Sequence, residues 1–575
     1  MTDNQITGAE ALMRALKAEG VETIFGYPGG AIMPVFDALY HYTRGEKKAF
    51  EHILVRHKQA AIHAAEGYAR VSGKVGVTLV TSGPGVMNTI TGIADAMMDS
   101  TPVVVIAGQV GTSVLGTDAF QEVDLVGVSQ PISKWSYQIR QPEDVAWAVS
   151  RAFYIASSGR PGPVVLDFAK NAQVGLCEWN PVKVDFIRSY VPSPELNMDM
   201  VRKAADLINN AKKPMALVGQ GVELGNAQEE LRTFLEKADI PAARTLLGLS
   251  ALPSNHYLNG GMLGMHGNYA PNIKQQECDV LIAIGMRFSD RVTGRLDTYA
   301  KQAKIIHLDI DPAEIDKCVH ADVPVIADCK ISLPALTELV EKRDHTEWKE
   351  SFRPLFHKEK DAVITPAVHP TEGPLRMAEV VHRVAKKTKG QAILVTDVGQ
   401  NQMISARYFH FMNKRSIATS GGMGTMGYGL PAAIGATFGS PERTVCVFMG
   451  DGGLQMSIQE FGTIMEHKTP VKMILLNNNF LGNVRQWQDM FFGKRRSFTP
   501  MTNPDYSKIA EGYGIPHRLV IEREELADAV EEMLNTDGPF LLEAAIYPLD
   551  NVEPMTPPGK SVDEMQLKVN INMDC

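Results

Sequence analysis

Paired cysteines are missing from this 575-residue chain: Cys177, Cys278, Cys318, Cys329, Cys446 and Cys575 are scattered, with no CxxC among them. That argues against a disulfide framework and predicts reduced, buried thiols in a cytosolic protein. Basic charge is not in excess either, since 57 Lys and Arg face 66 Asp and Glu for a formal net charge of −9. Nucleic-acid binding is therefore not expected as the main task. No apolar run approaches membrane-spanning length, and the opening MTDNQITGAEALMRALKAEG lacks a signal-peptide core. It reads instead as a capped amphipathic helix. With 44% hydrophobic and 21% charged residues, the expectation is a cytoplasmic, non-membrane α/β protein. Its length allows three or four domains, each with its own core.

The most informative stretch present is Gly450-Asp451-Gly452 with Asn477-Asn478-Asn479 beyond it. Residues 444–449 (TVCVFM) are a short β-rich run, 454–467 place apolar residues at helical spacing, and 471–476 (VKMILL) are apolar again. Strand, helix and strand with a right-handed crossover make the strands parallel neighbours. Asp451 and Asn478 then leave the carboxyl ends of those strands, where open α/β sheets bind ligands. A carboxylate and an amide oxygen are hard ligands that leave positions for phosphate oxygens and water, which suits Mg²⁺ bridging a diphosphate. Glycines admit the phosphates to the backbone, and amides at the helix start assist. GDG alone is common, and NNN is often a plain turn. Joined by strand-helix-strand, the pair resembles the thiamine diphosphate (ThDP) motif.

The rest of the chain repeats this grammar. Strands at 23–25, 53–55, 75–80 and 103–107 alternate with helices at 60–71 and 86–98, predicting a doubly wound parallel sheet. LVTSGPGVMNTITGIADAM…TPVVVIAG echoes VFMGDGGLQMSIQEFGTIMEHKTPVKMILL. The first and last thirds could thus be copies of one fold, although any two βαβ units look somewhat alike. A middle unit begins at Lys213, with strands at 214–218, 280–284 and 304–310. Its GQGVELG is not the GxGxxG dinucleotide fingerprint, so the ligand stays open. Residues 180–200 and 343–374 read as linkers, and 550–575 as a tail that folds as a flap or stays mobile. Taken singly, Phe120-Gln121 is an ordinary surface loop, Arg160 and Lys170 are solvated charges, and Trp487 is a core residue.

Taken together, the segments FGYPGGAIMPVFDAL, ILVRHKQAA, VTSGPG, GTDAFQEVDLVGVSQP, ASSGRPGPVVLDFAK, LGMHG, GMRFSDRVTG, SGGMGTMGYGLPAAIGA, GDGGLQM and NNNFLGNVRQWQ resemble the large catalytic subunits of acetohydroxyacid (acetolactate) synthases, within the ThDP-dependent decarboxylases. The resemblance covers nearly the whole chain. It implies three doubly wound domains with mainly parallel sheets: pyrimidine-binding at 1–185, FAD-binding at 195–345 and diphosphate-binding at 375–550, followed by a tail at 551–575. It implies Mg²⁺ on Asp451, Asn478 and the Phe480 carbonyl. ThDP would contact Tyr27, Pro28, Gly29, Val398, Gly399, Gln400, Asn401, Gly424, Met426, Gly450, Asp451, Gly452, Gly453, Asn478, Gly482, Asn483 and Val484. A structural FAD would contact Arg160, Gly219, Gly221, Thr245, Leu246, Met265, His266, Gly285, Arg287, Asp290, Asp309, Ile310 and Asp328. Met426 matches the residue that bends ThDP, Arg291 and Trp487 those that select the acceptor, and Phe120, Gln121 and Lys170 those lining the substrate approach. Pyruvate and 2-ketobutyrate are the implied substrates. A homodimer or tetramer with active sites between subunits, and a small regulatory subunit, are the implied partners.

One departure bears on the chemistry. The family writes Arg-His-Glu-Gln where this chain has Arg56-His57-Lys58-Gln59. The expected glutamate shares a proton with the aminopyrimidine ring, whereas a lysine, with a reference pKa of ~10.4, donates poorly to a weak base. Glu51 and Glu66 lie too far along the chain to substitute. Val86-Met87, Asn401, Gly453 and Asn483 are smaller departures in pocket shape. Two rival readings follow: another ThDP enzyme such as a pyruvate oxidase, and an inactive homologue with a structural or regulatory role, resting on Lys58.

Overall fold

The computed structural model describes residues 5–569, so Cys575 lies outside it. Three six-stranded, wholly parallel sheets carry the fold. The first runs Glu51–Leu54, Thr23–Gly26, Gly76–Val80, Val103–Gln109, Pro163–Ala169 and Trp135–Ile139. The last runs Ile417–Ala418, Ile393–Thr396, Val445–Gly450, Lys472–Asn477, Phe540–Ala545 and His517–Val520. Numbered along the chain within each sheet, both orders read 2-1-3-4-6-5. The internal echo therefore marks two units of one topology, with GPG and GDG at the ends of corresponding third strands. Val103–Gln109 is buried at every position, as expected of a parallel strand covered by helices on both faces.

The middle sheet contains Pro214–Val218, Ala242–Arg244, Asn259–Met262, Val280–Ile284, Lys304–Asp309 and Val323–Ile326, in order 3-2-1-4-5-6. This is a dinucleotide-type topology, with its switch point between Pro214–Val218 and Val280–Ile284.

The first and last units meet through two helices, Lys58–Ser72 and Gly429–Gly439. A Cβ on Gly67 would lie 2.0 Å from the Ala432 carbonyl oxygen, and one on Gly435 only 1.8 Å from that of Ala64. The backbones touch, and one buried core continues across both units.

Several expectations change. Residues 343–374 are not a plain linker, because Thr346–Glu350, Arg353–Glu359 and Thr365–Val368 are helices, and Trp348 and Phe352 join the middle core. The helix expected at 86–98 is two, Pro84–Met87 and Ile90–Met98. Cys318 is exposed, unlike the other four cysteines among the described residues. The tail bridges two units: Val552 N donates to Gln486 Oε1 of the last unit at 2.9 Å, while Thr556 N donates to Met265 O at 2.9 Å and Arg295 N to Lys560 O at 3.1 Å in the middle one. Val552 is buried in the core of the last unit and Val562 in that of the middle one. No helix among the described residues is long and apolar enough to cross a membrane.

Candidate functional site

At the carboxyl end of the last sheet, Val445–Gly450 hands Asp451 to the helix Asp451–Ser457, and Lys472–Asn477 leads into Asn478. The strands are parallel neighbours, with Gly450 opposite Leu476. Asp451 is buried; its Oδ1 accepts from Gly452 N at 3.0 Å and its Oδ2 from Asn503 Nδ2 at 2.7 Å. Burial pushes its carboxyl up, and the Asn503 bond opposes that shift. Asn478 Oδ1 accepts from Phe480 N at 3.1 Å.

Two helices begin here, Gln400–Tyr408 behind Gly399 and Gly482–Phe491 behind Leu481. A Cβ on Gly482 would lie 2.1 Å from Gln400 Oε1 and 2.7 Å from Asn478 Nδ2, so both helix starts converge on Asn478. Gly399 has φ 125° and Gly424 φ 70°, left-handed values that favour glycine. Asn401 Oδ1 and Asn483 Oδ1 are buried without a partner. A carboxylate and amide oxygens fit a divalent cation, and the helix N-termini fit a diphosphate. Met426 and Gly453 belong to the same end: a Cβ on Gly452 would lie 3.5 Å from Met426 Cε, and one on Gly453 would lie 2.4 Å from Asp397 Oδ1. Val484, next to Asn483, is exposed.

A cavity of about 720 Å³ joins this end to the middle unit. Val398, Gly424, Asn483 and Trp487 line it from the last unit. Gly221, Thr245, Leu246, Met265, His266, Gly285, Arg287, Asp290, Arg291, Asp309, Ile310 and Asp328 line it from the middle one, and Arg160 from the first. Gly219 stands just behind, since its Cβ would lie 2.3 Å from Gly285 O. The cavity thus opens at the topological switch point, where such sheets take ligands, and its size suits a cofactor. His266 Nδ1 is buried and unpartnered, and burial brings that imidazole down to about 3. Asp309 is pushed up to about 6, chiefly by burial. The residues fit a flavin dinucleotide.

Arg160 is not a solvated charge: its Nη1 pairs with Glu314 at 2.7 Å and Asp311 at 3.1 Å, binding the first unit to the middle one. Asp328 also caps the helix Cys329–Leu339 through Lys330 N. Trp487 is not core. It is half-buried against Phe491 on the cavity wall, with Nε1 unpartnered. Arg291 is exposed and pairs with Asp290 at 2.8 Å.

Lys58 lies at the carboxyl end of the first sheet. It opens the helix Lys58–Ser72, and its Nζ sits 3.9 Å from the Tyr27 ring centroid. Gly29 and Gln121 flank the turn nearby: a Cβ on Gly29 would meet Thr81, and one on Gly83 would meet Gln121. Pro28 is exposed, and Phe120 is 88% exposed. Lys170 is exposed at the start of Lys170–Val174. None of these seven lines the large cavity. These first-unit residues thus stand outside the cavity, as Asp451, Asn478 and Phe480 also do.

Asn503 was missed by sequence reasoning. It follows the 480–488 segment in an unremarkable loop, and its only local signal is Asn-Pro-Asp before a helix.

Residues 6–128, 201–336 and 397–544 match the family descriptions "Thiamine pyrophosphate enzyme, N-terminal TPP binding domain", "central domain" and "C-terminal TPP binding domain". The chain is 42% identical over 561 residues to the acetolactate synthase large subunit of Lactococcus lactis subsp. lactis (strain IL1403), covering 97% of this chain and 96% of the relative. It is 44% identical over 567 residues to the probable acetolactate synthase large subunit of Methanocaldococcus jannaschii, covering 96% and 94%. It is 42% identical over 576 residues to the acetolactate synthase isozyme 2 large subunit of Escherichia coli (strain K12), covering 98% and 100%.

Proposed function

We propose, from the premise that the chain belongs to the thiamine pyrophosphate enzymes and, within them, to the acetolactate synthase large-subunit family, that it is a ThDP-, Mg²⁺- and FAD-dependent carboligase. It decarboxylates pyruvate and joins the two-carbon unit to pyruvate, giving 2-acetolactate, or to 2-ketobutyrate, giving 2-aceto-2-hydroxybutyrate. Such products feed branched-chain amino-acid synthesis. The single observation that carries this reading is the cavity joining the switch point of the middle sheet to Gly424, Asn483 and Trp487. That arrangement fits a flavin beside a carboligation site. A pyruvate oxidase is not favoured, given near full-length identity to acetolactate synthases.

When bound, ThDP supplies the electron sink that lets CO₂ leave. Asp451, Asn478 and the Phe480 carbonyl would hold the metal, and the starts of Gln400–Tyr408 and Gly482–Phe491 the diphosphate. Met426, beside Gly452, would support the bound cofactor from that side. Positioning of this kind supplies several kcal/mol, of the order ~7–11 for well-oriented reactants. Arg291, an exposed guanidinium at the cavity, receives the acceptor carboxylate, and Trp487 bounds the space for its alkyl group. Phe120, Gln121 and Lys170 lie in the first unit, apart from that cavity, so they serve a site completed by a second copy of the chain. The relatives are large subunits by name, which supports a smaller subunit as a further partner.

Lys58 occupies the position of the proton-sharing glutamate, with its ammonium resting on Tyr27. It favours a second reading, a homologue that binds its cofactors and turns over slowly or not at all. Acetolactate formation by purified protein with ThDP, Mg²⁺ and FAD tests both. Lys58→Glu is expected to raise the rate about 10²–10⁴-fold, the usual worth of a general acid–base group. Equal rates in the two proteins would remove the role given to Lys58. Absence of acetolactate from both would remove the function.

A further inference from the structure

The chain after Phe480 folds back over the metal end. Leu481 N donates to Thr499 O, and Met501 N to Asn479 O, each at 2.9 Å. This return brings in Asn503, whose Nδ2 faces three oxygens: Asp451 Oδ2 at 2.7 Å, Asn477 Oδ1 at 2.9 Å and Asn479 Oδ1 at 3.0 Å. An amide nitrogen carries two hydrogens, so this one is fully used. Its Oδ1 accepts from Gln455 Nε2 at 2.8 Å and Tyr506 Oη at 3.3 Å. Tyr506 is buried, and Asp505 caps its helix, Tyr506–Gly512. Pro504 restricts the Asn503 backbone. Both ends of the carboxamide are therefore held.

The three oxygens belong to two separate loops, and without a shared donor they would repel one another. Asn479 is also a left-handed residue, φ 57°, a conformation that its side-chain bond to Asn503 supports. We propose that Asn503 is a positioning residue of the metal end. It takes Asp451 Oδ2 and clamps the Asn477–Asn479 turn, which leaves Asp451 Oδ1 and Asn478 for the cation. The inference rests on the metal placement given under the proposed function.

Mn²⁺ binding followed by electron paramagnetic resonance, on purified chain holding FAD and ThDP, tests this without reference to turnover. Asn503→Ala and Asn503→Leu are expected to weaken Mn²⁺ about 10–100-fold, as loss of an outer partner of a ligating group does, with flavin content unchanged. Thr499→Ala removes a bond to Gln488 in the same loop, one that does not reach Asp451, and is expected to keep wild-type affinity. Should the Asn503 variants not fold, Gln455→Leu reports instead. That side chain is exposed, and its loss is expected to weaken Mn²⁺ severalfold by freeing the Asn503 carboxamide. Mn²⁺ affinity within twofold of wild type in Asn503→Ala, or in Gln455→Leu where it stands in, with Asp451→Asn abolishing binding, overturns the role of Asn503 alone. Unchanged binding in Asp451→Asn overturns the metal placement and this inference with it.

Discussion

Lys58 sits at the first position of its helix, where the dipole disfavours a cation by about 0.3–1 kcal/mol. Its contact with the Tyr27 ring returns about 0.5–1 kcal/mol. The two nearly cancel, so the lysine is tolerated without being needed for stability. Lys58→Glu is expected to leave the thermal midpoint almost unchanged while altering the chemistry. The neighbouring His57 reports the local charge: burial, and then Lys58, holds its imidazole below the ordinary value. Replacing Lys58 by glutamate exchanges a cation for an anion and should raise the His57 pKa, measurable by NMR titration of the ring. A fall would contradict the placement of the ammonium. The helix start at Arg56-His57-Lys58-Gln59 was legible in the sequence, and the chain begins that helix at Lys58. The Tyr27 contact was not, because strand order alone makes residues 27 and 58 neighbours.

At the scale of elements, strands were legible because buried parallel strands are continuous apolar runs. Helix interruptions were not. Residues 454–467 carry one helical period, yet the chain forms Asp451–Ser457, a 3₁₀ turn Ile458–Glu460 and Phe461–His467. The turn presents Glu460 to another unit, where it accepts from His57 N at 2.8 Å and Arg56 N at 3.1 Å. A partner 400 residues away in sequence leaves no local trace. The same holds for the helix pair Lys58–Ser72 and Gly429–Gly439, whose glycines look like weak points until the other backbone is in place. Gly435→Ala would push a methyl into the Ala64 carbonyl. It is expected to destabilise by about 1–3 kcal/mol or more, as overpacking does. Denaturant or thermal unfolding checks this, and an unchanged midpoint would mean that the helices part easily.

At the scale of the whole molecule, that seam hides a polar cluster. His63 Nδ1 and Glu66 Oε1 are 2.9 Å apart. Both Asp95 carboxylate oxygens, Glu66 Oε2 and the Tyr428 hydroxyl are buried without partners. Arg70 pairs with Asp99 at 2.8 Å, and Asp99 also accepts from Gly421 N and Gly422 N at 2.7 Å. Asp397 is taken up by the amides of Val398, Gly427 and Gly429. Burial, with Glu66 and Asp99 adding to it, pushes Asp95 up to about 7, and burial raises Glu66 well above the usual range. The folded chain thus keeps a proton on Asp95 that an unfolded chain releases near pH ~4. Its stability contribution is full below that pH and falls as pH rises toward 7, by up to about 1.4 kcal/mol per unit. Asp95→Asn should flatten the decline of the thermal midpoint across this window. Parallel curves for the two proteins would show that Asp95 is ionised in the fold.

The sequence by itself determined the class, the parallel sheets, the repeated strand-turn-helix grammar and the family. These rest on local periodicity and on motifs whose chemistry is carried by contiguous residues. Only the tertiary structure decided that the first and last units share one strand order, that the tail bridges the last and middle units, and that Asn503 holds Asp451. It also decided that one chain keeps Lys58 and Tyr27 apart from the large cavity. The reason is physical: buried carboxylates, backbone contacts at glycine and convergent amides are set by groups tens to hundreds of residues apart, and distance along the chain says nothing about which of them meet.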